Sequence, residues 1–198
     1  DYKSDVPGST RGWLIEETST NVCSRSEDFN TSWVYNLPNG VNVATVADNQ
    51  AISPDGNQTA DTISASSTAD NKIIGTRFGT TAANESYLTY SVFAKKKDHD
   101  FLEISNDSGA TAGHIFSQVF NISNGTIPSG GASGNVYAAH ITKHISGWYR
   151  CEVTFQYLSG KTPEMWIKSR PDNVPAATYS VITGHGTYLW GAQMEGNK

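Results

Sequence analysis

Turn-forming residues recur along this 198-residue chain and separate short runs in which apolar and polar side chains alternate. Groups such as Pro54-Asp55-Gly56 and Asn124-Gly125 mark turns, because Pro presets φ and Gly or Asn tolerates a positive φ. No stretch shows a convincing helical period. This spacing predicts about ten strands and an all-β, antiparallel β-sandwich fold. The predicted strands occupy 41–47, 59–66, 71–78, 86–95, 100–105, 112–123, 135–145, 148–158, 164–170, 177–183 and 187–195.

The composition agrees with this fold and limits the classes of partner. Hydrophobic residues make up only 37% of the chain and charged residues 17%, whereas Ser, Thr, Asn and Gly, which are weak in helix interiors, are abundant. The net charge of −5 argues against nucleic-acid binding, and no apolar run is long enough for insertion into a membrane. The basic run Lys95–Lys97 precedes Asp98 and Asp100, so we interpret it as a solvated loop rather than a phosphate site.

Strand alternation places one of the two cysteines in the core. In the run 149–157, Cys151 shares a side with Val153 and Phe155, which places it in the core. A buried free thiol is the expected state of Cys151, and a disulfide with Cys23 is the alternative.

The run 164–170 places Met165 and Ile167 on one side and its polar residues on the other. Trp166 therefore shares a face with charged side chains. An exposed indole can stack on a sugar ring while polar neighbours bind its hydroxyls, so Trp166 is interpreted as a stacking platform or, equally, as a core residue. The candidate ligand-binding residues are Trp166, Lys168, Arg170 and Glu164, together with Tyr137 and Tyr35 beside predicted turns.

The sequence shows no arrangement that is typical of catalysis. The five histidines form no H-x-x-E-H, H-E-x-x-H or zinc-ligand spacing, and there is no G-x-S-x-G motif or phosphate-binding loop. We therefore expect a protein that is not an enzyme and that requires no cofactor.

Five segments in order resemble bacteriophage virion proteins, chiefly tail-fibre and minor structural proteins. The segments are RGWLIEETSTNVCSRSEDFNTSW (Arg11–Trp33), SPDGNQTAD (Ser53–Asp61), SYLTYSVFAK (Ser86–Lys95), SGWYRCEVT (Ser146–Thr154) and YLWGAQMEGN (Tyr188–Asn197). Two positions depart from the family pattern: Ser19 stands where Arg is common, and Cys23 where aliphatic residues are usual. The departures weaken any role for those two positions and leave the match intact.

The resemblance implies a jelly-roll sandwich similar to carbohydrate-binding modules and galactose-binding-like domains, with 1–12 as a lead-in segment and 13–198 as a single domain. It implies a non-catalytic domain on the virion surface that binds host-surface carbohydrate. The expected partners are a host glycan and other virion proteins, and analogy with fibres suggests a homotrimer. The alternatives are a purely structural capsid or fibre decoration module and a glycan-degrading enzyme.

Carbohydrate-binding jelly rolls often hold a structural Ca²⁺ between the first and last strands, and Ca²⁺ requires several oxygen ligands. In this chain Glu27 and Asp28 lie near the start and Glu195 lies near the end. The resemblance thus implies a Ca²⁺ site at Glu27, Asp28 and Glu195. The alternative is that Glu27 and Asp28 simply cap a turn.

Overall fold

The computed structural model describes residues 21, 23, 25–33, 44–65, 73–77, 87–106, 116–156, 164–175 and 180–197. In these ranges the chain forms eleven strands, a one-turn helix α1 (Phe29–Ser32) and a 3₁₀ turn (Ile145–Gly147). The strands are β1 (Thr45–Ala51), β2 (Ala60–Ser64), β3 (Ile73–Arg77), β4 (Tyr87–Lys96), β5 (Phe101–Asn106), β6 (Phe116–Asn121), β7 (Ala132–Gly134), β8 (Val136–Lys143), β9 (Trp148–Gln156), β10 (Glu164–Arg170) and β11 (Gly186–Asn197).

The strands form two antiparallel sheets. One sheet has six strands in the order β1-β2-β11-β4-β9-β8, and the other has five in the order β3-β10-β5-β6-β7. The chain passes from one sheet to the other after β2, β3, β4, β7, β9 and β10, which is the connectivity of a jelly roll. The predicted all-β antiparallel sandwich with jelly-roll topology is therefore confirmed.

The core lies between the sheets and is built by the alternation that the sequence shows. Tyr90 of β4 packs on Phe155 of β9 at a ring-centroid distance of 4.8 Å, and Phe116 of β6 stacks on Phe155 at 4.3 Å. The inward-facing residues of β9 are buried, so the predicted core position of Cys151 is confirmed. Both Cys23 and Cys151 are buried free thiols, and burial raises the pKa of Cys23 to about 11.

Three local features differ from the predicted strands. The short helix α1 precedes a bend at Trp33, in a part of the sequence for which no helix was predicted. The edge strand β7 was not predicted, because its three exposed residues carry no apolar alternation. Residues 180–183, the described part of the run 177–183, form no strand.

Two further points concern the limits of the described chain. The predicted lead-in segment 1–12 lies outside the described residues. Within the described residues, no helix has the length and apolar character needed to cross a membrane.

Candidate functional site

The four candidate residues of β10 lie on the outer face of the five-stranded sheet. Met165 and Ile167 are fully buried in the core between the sheets, so the alternate side chains of β10 point away from that core. Trp166 and Lys168 pair in register with Ser105 and Glu103 of β5. The predicted division of β10 into an apolar face and a face shared by Trp166 and charged residues is confirmed.

A buried charge cluster occupies this outer face. The Glu103 carboxylate accepts a hydrogen bond from the Lys168 ammonium group at 2.7 Å and also pairs with the Arg170 guanidinium. The Ser117 hydroxyl donates to the same carboxylate at 2.5 Å, and Arg170 also reaches Asp172 at 2.7 Å. The cluster consists of Glu103, Lys168 and Arg170, with Asp172 at its margin.

The charges in this cluster compensate one another. Burial would raise the pKa of the Glu103 carboxyl, but Lys168, Ser117 and Arg170 stabilise the charged form more strongly and hold its pKa below the ordinary value. Glu103 and Arg170 are fully buried, and Lys168 is 8% exposed. Because these charges pair with one another and are buried, the cluster contributes to the fold and leaves little charge accessible to a ligand.

Trp166 is only 6% exposed, and its indole N–H donates to a Glu164 carboxylate oxygen at 3.0 Å. An exposed stacking platform at Trp166 is therefore excluded. Glu164, Lys168 and Arg170 are also buried, so none of the four presents an open binding surface. The sequence predicted their shared face correctly, but burial on that face depends on packing that alternation does not report.

Tyr137 lies on the six-stranded sheet. It lies at a bulge in β8, is 70% exposed, and its ring lies 4.6 Å from the ring of Tyr87 on β4. Tyr35, the remaining candidate, lies outside the described residues. Among the candidate binding residues in the described part of the chain, Tyr137 is the one with an exposed aromatic side chain.

A row of polar side chains continues from this tyrosine pair along the outer face of the six-stranded sheet. Arg150 donates to the Gln193 side-chain oxygen at 3.2 Å and to the Ser91 hydroxyl at 3.3 Å, and it pairs with Glu152 at 3.2 Å. Thr89 and Thr154 share a hydrogen bond of 2.8 Å nearer to the tyrosines. We call Thr89, Thr154, Ser91, Arg150, Glu152 and Gln193 the polar row.

Aromatic side chains also mark the far end of the polar row. The Phe93 ring lies 5.6 Å from Trp190 and 5.4 Å from His144. Trp190 donates its indole N–H to the Thr59 hydroxyl at 3.1 Å, and Trp148 donates to the carbonyl of Ile52 at 3.0 Å. The loop between β1 and β2 thus folds over this end of the sheet and fixes the two tryptophans.

The β1–β2 loop is itself held by short polar contacts. The Ser53 hydroxyl contacts Asp55 at 2.5 Å and Thr59 at 2.8 Å, and the Asn57 amide N–H donates to Asp55 at 3.0 Å. These hydrogen bonds, that of Ser53 first, lower the pKa of the exposed Asp55 carboxyl. The β1–β2 loop is therefore ordered, and it lies at the end of the polar row that Trp190 marks.

Tyr137 was a candidate from the sequence, whereas the residues of the polar row were not. The residues of the polar row come from β11, β4 and β9, which are neighbours in the sheet. Gln193, Ser91 and Arg150 contact one another there, although they lie more than 40 positions apart in sequence. The available signal was the alternation within each strand, which marks these residues as outward-facing. The pairing that makes them neighbours is set by the register between strands.

The predicted Ca²⁺ ligands do not assemble. The segment at Ser26 lies beside β11, because the Ala192 N–H donates to the Ser26 carbonyl at 2.8 Å. However, the described residues contain no group of three or more His, Cys, Asp or Glu that could hold a metal ion, so Glu27, Asp28 and Glu195 form no such site. Asp28 instead pairs with the arginine three residues before it at 3.0 Å.

The described residues define an antiparallel β-sandwich that carries the polar row on the outer face of its six-stranded sheet. No protein-family model matches the chain, and no curated protein matches it. Among solved structures the chain is similar to a proposed sugar-binding protein from Bacteroides thetaiotaomicron, with 10% identity, a TM-score of 0.40, and coverage of 78% of this chain and 83% of that one. A likeness this distant carries no argument, so the assignment of the sandwich rests on the strand order.

Proposed function

We propose that the protein is a non-catalytic carbohydrate-binding domain and that the ligand lies along the polar row. The observation that carries this proposal is Tyr137, which is 70% exposed and whose ring contacts that of Tyr87, at a tilt of 47°, at one end of that row. An exposed aromatic ring that a neighbouring ring holds in place offers a rigid face to the C–H side of a sugar.

The polar row supplies the hydrogen-bonding groups that sugar hydroxyls require. The guanidinium of Arg150 and the carboxylate of Glu152 offer donors and acceptors, and the hydroxyls of Thr89 and Thr154 can serve as either. Tyr87 and Phe93 are six residues apart on β4, which spans about 20 Å at the rise of a β-strand. That length accommodates a short oligosaccharide rather than a single sugar.

We further propose that the natural ligand is a host-surface glycan and that the domain belongs to the surface of a phage particle, beside other virion proteins. The support is the resemblance of the five ordered segments to tail-fibre and minor virion proteins. A trimeric fibre would present three copies of the polar row, and several weak sites in one particle bind a repetitive glycan with increased avidity.

The test is a glycan array with the full chain, followed by titration of the best ligand against Tyr137→Ala and Tyr137→Phe. Loss of the ring is expected to weaken binding about tenfold, whereas Tyr137→Phe keeps the stacking surface and most of the affinity. Because Tyr137 is exposed, its removal leaves the melting temperature within a few degrees of the wild-type value.

Ile182→Ala is the matched control, since Ile182 is also an exposed large side chain, at 62%, and lies outside the polar row. Binding that is unchanged in Tyr137→Ala would contradict the proposed site. Absence of binding to any glycan would favour the structural decoration module, and turnover of a bound saccharide would favour an enzyme.

A further inference from the structure

A surface depression of about 300 Å³ lies where the end of β4 meets the turns that follow β6 and precede β9. Its lining consists of Lys95–Lys97, Ile122, Ser123, Gly147 and Tyr149. We call it the basic depression. Its volume is at the lower end of the range for small-ligand sites.

The lysines of the basic depression differ in their ion pairs. Lys96 pairs with Asp100 at 2.6 Å, and Lys97 pairs with Asp98 at 2.5 Å. Lys95 is half-buried and has no carboxylate at ion-pair distance among the described residues. One of the three ammonium groups therefore has no carboxylate partner within the described part of the chain, whose full sequence carries a net charge of −5.

The walls of the basic depression are ordered by contacts of their own. The Asn121 side-chain oxygen accepts hydrogen bonds from the Ser123 N–H at 3.0 Å and from the Ser123 hydroxyl at 2.7 Å. Gly125, at a φ of +75°, lies against Tyr149, where an added Cβ would come within 2.4 Å of the ring. These contacts fix the serine and tyrosine sides before any ligand arrives.

Although the sequence alone favours a solvated loop at Lys95–Lys97, these lysines line a depression, and we propose that it binds an anionic group: a phosphate, a sulfate or a carboxylate, either free or carried by an acidic saccharide. Lys95 provides the charge that the ligand neutralises, and Lys96 and Lys97, whose charges Asp100 and Asp98 balance, provide further N–H donors. The inference stands on the cavity and its charges, and it does not depend on carbohydrate binding at the polar row.

The experiment is isothermal titration of the full chain with inorganic phosphate, with an oligogalacturonate and with a neutral galacto-oligosaccharide, at low and at high KCl. Binding of an anion is expected to weaken at least about fivefold in Lys95→Gln and to fall as salt rises. Lys95→Arg keeps the charge and is expected to keep measurable affinity. Arg25→Gln is the control, because it removes the same charge from a residue outside the depression.

Each outcome distinguishes the possible sources of the anion. Binding of phosphate and oligogalacturonate that both depend on Lys95 supports a general anion site, and Lys95-dependent binding of oligogalacturonate alone supports an acidic saccharide. No anion binding in a folded protein, equal affinity in Lys95→Gln, or an equal loss in Arg25→Gln overturns the proposal. Anion binding that persists in Tyr137→Ala separates this site from the polar row.

Discussion

Glu103 is the carboxylate on which the buried charge cluster converges, and Glu103→Gln is the sharpest test of what holds the five-stranded sheet. The substitution keeps the shape of the side chain and removes its charge, which leaves Lys168 and Arg170 without their shared partner. Arg170 is fully buried, so it cannot recover hydration without opening the sheet. Breaking a buried ion pair from one side costs about 3–5 kcal/mol.

Urea unfolding followed by tryptophan fluorescence measures this loss. For a chain of this size, 3–5 kcal/mol corresponds to a decrease in melting temperature of about 6–20 °C. Glu152→Gln is the matched control, because the Arg150–Glu152 pair is partly solvated and such pairs contribute only about 0–1 kcal/mol. A Glu103→Gln variant as stable as Glu152→Gln would refute the role assigned to the cluster.

Acid provides an independent check on the same group. Because the folded-state pKa of Glu103 is lowered from its ordinary 4.5, its stabilising contribution is complete above about pH 4.5 and is lost as the pH falls through the folded-state value. The wild-type protein should therefore lose stability more steeply than Glu103→Gln as the pH falls below 4.5. Parallel curves would mean that folding does not lower the pKa of Glu103.

Two further predictions follow from buried residues elsewhere. Trp166→Ala should lose about 3–5 kcal/mol of unfolding free energy in urea, because the indole is buried and hydrogen-bonded to Glu164, and a loss below 1 kcal/mol would contradict that burial. Burial, and then the charge of His185, lower the pKa of His99 below 6.5, so stability should fall as the pH drops below 6.5 and the unfolded chain binds the proton first. His99→Gln should flatten this dependence between pH 7 and pH 5, and an unchanged slope would assign it to another group.

The side chains that face the core were predictable, because the alternation of apolar and polar residues along a strand determines which of them point inward. In β9 the sequence alternates Tyr149, Cys151, Val153 and Phe155 with polar residues, and the structure buries all four against the core. A slip of one residue would expose that whole set, so the pattern specifies both the strand and its register. The edge strand β7 lacks such a buried set, and nothing in its composition distinguishes it from a turn.

The outer faces were not predictable in the same way, as the tryptophans show. Trp148 and Trp190 both lie in predicted strands, and their register with Lys95 and Phe93 of β4 places them on the outer face of the six-stranded sheet. Trp148 is nevertheless fully buried, because the β1–β2 loop covers it and accepts its hydrogen bond at Ile52. Alternation gives the direction of a side chain, whereas its exposure depends on a loop almost one hundred residues away in the sequence.

The same reasoning explains why charged neighbours were a poor guide to a binding site. Around Trp166 the charges are satisfied internally, since each cation of the cluster meets the buried Glu103 carboxylate. Around Tyr137 the polar groups are partly solvated, and at Lys95 an ammonium group has no described counterion. A ligand gains from polar groups that stay partly exposed to solvent, so an exposed tyrosine beside such groups is a better candidate than a tryptophan buried beside a closed ion-pair cluster. The polar row and the basic depression meet this condition on the six-stranded side of the sandwich, which is where binding variants should be concentrated.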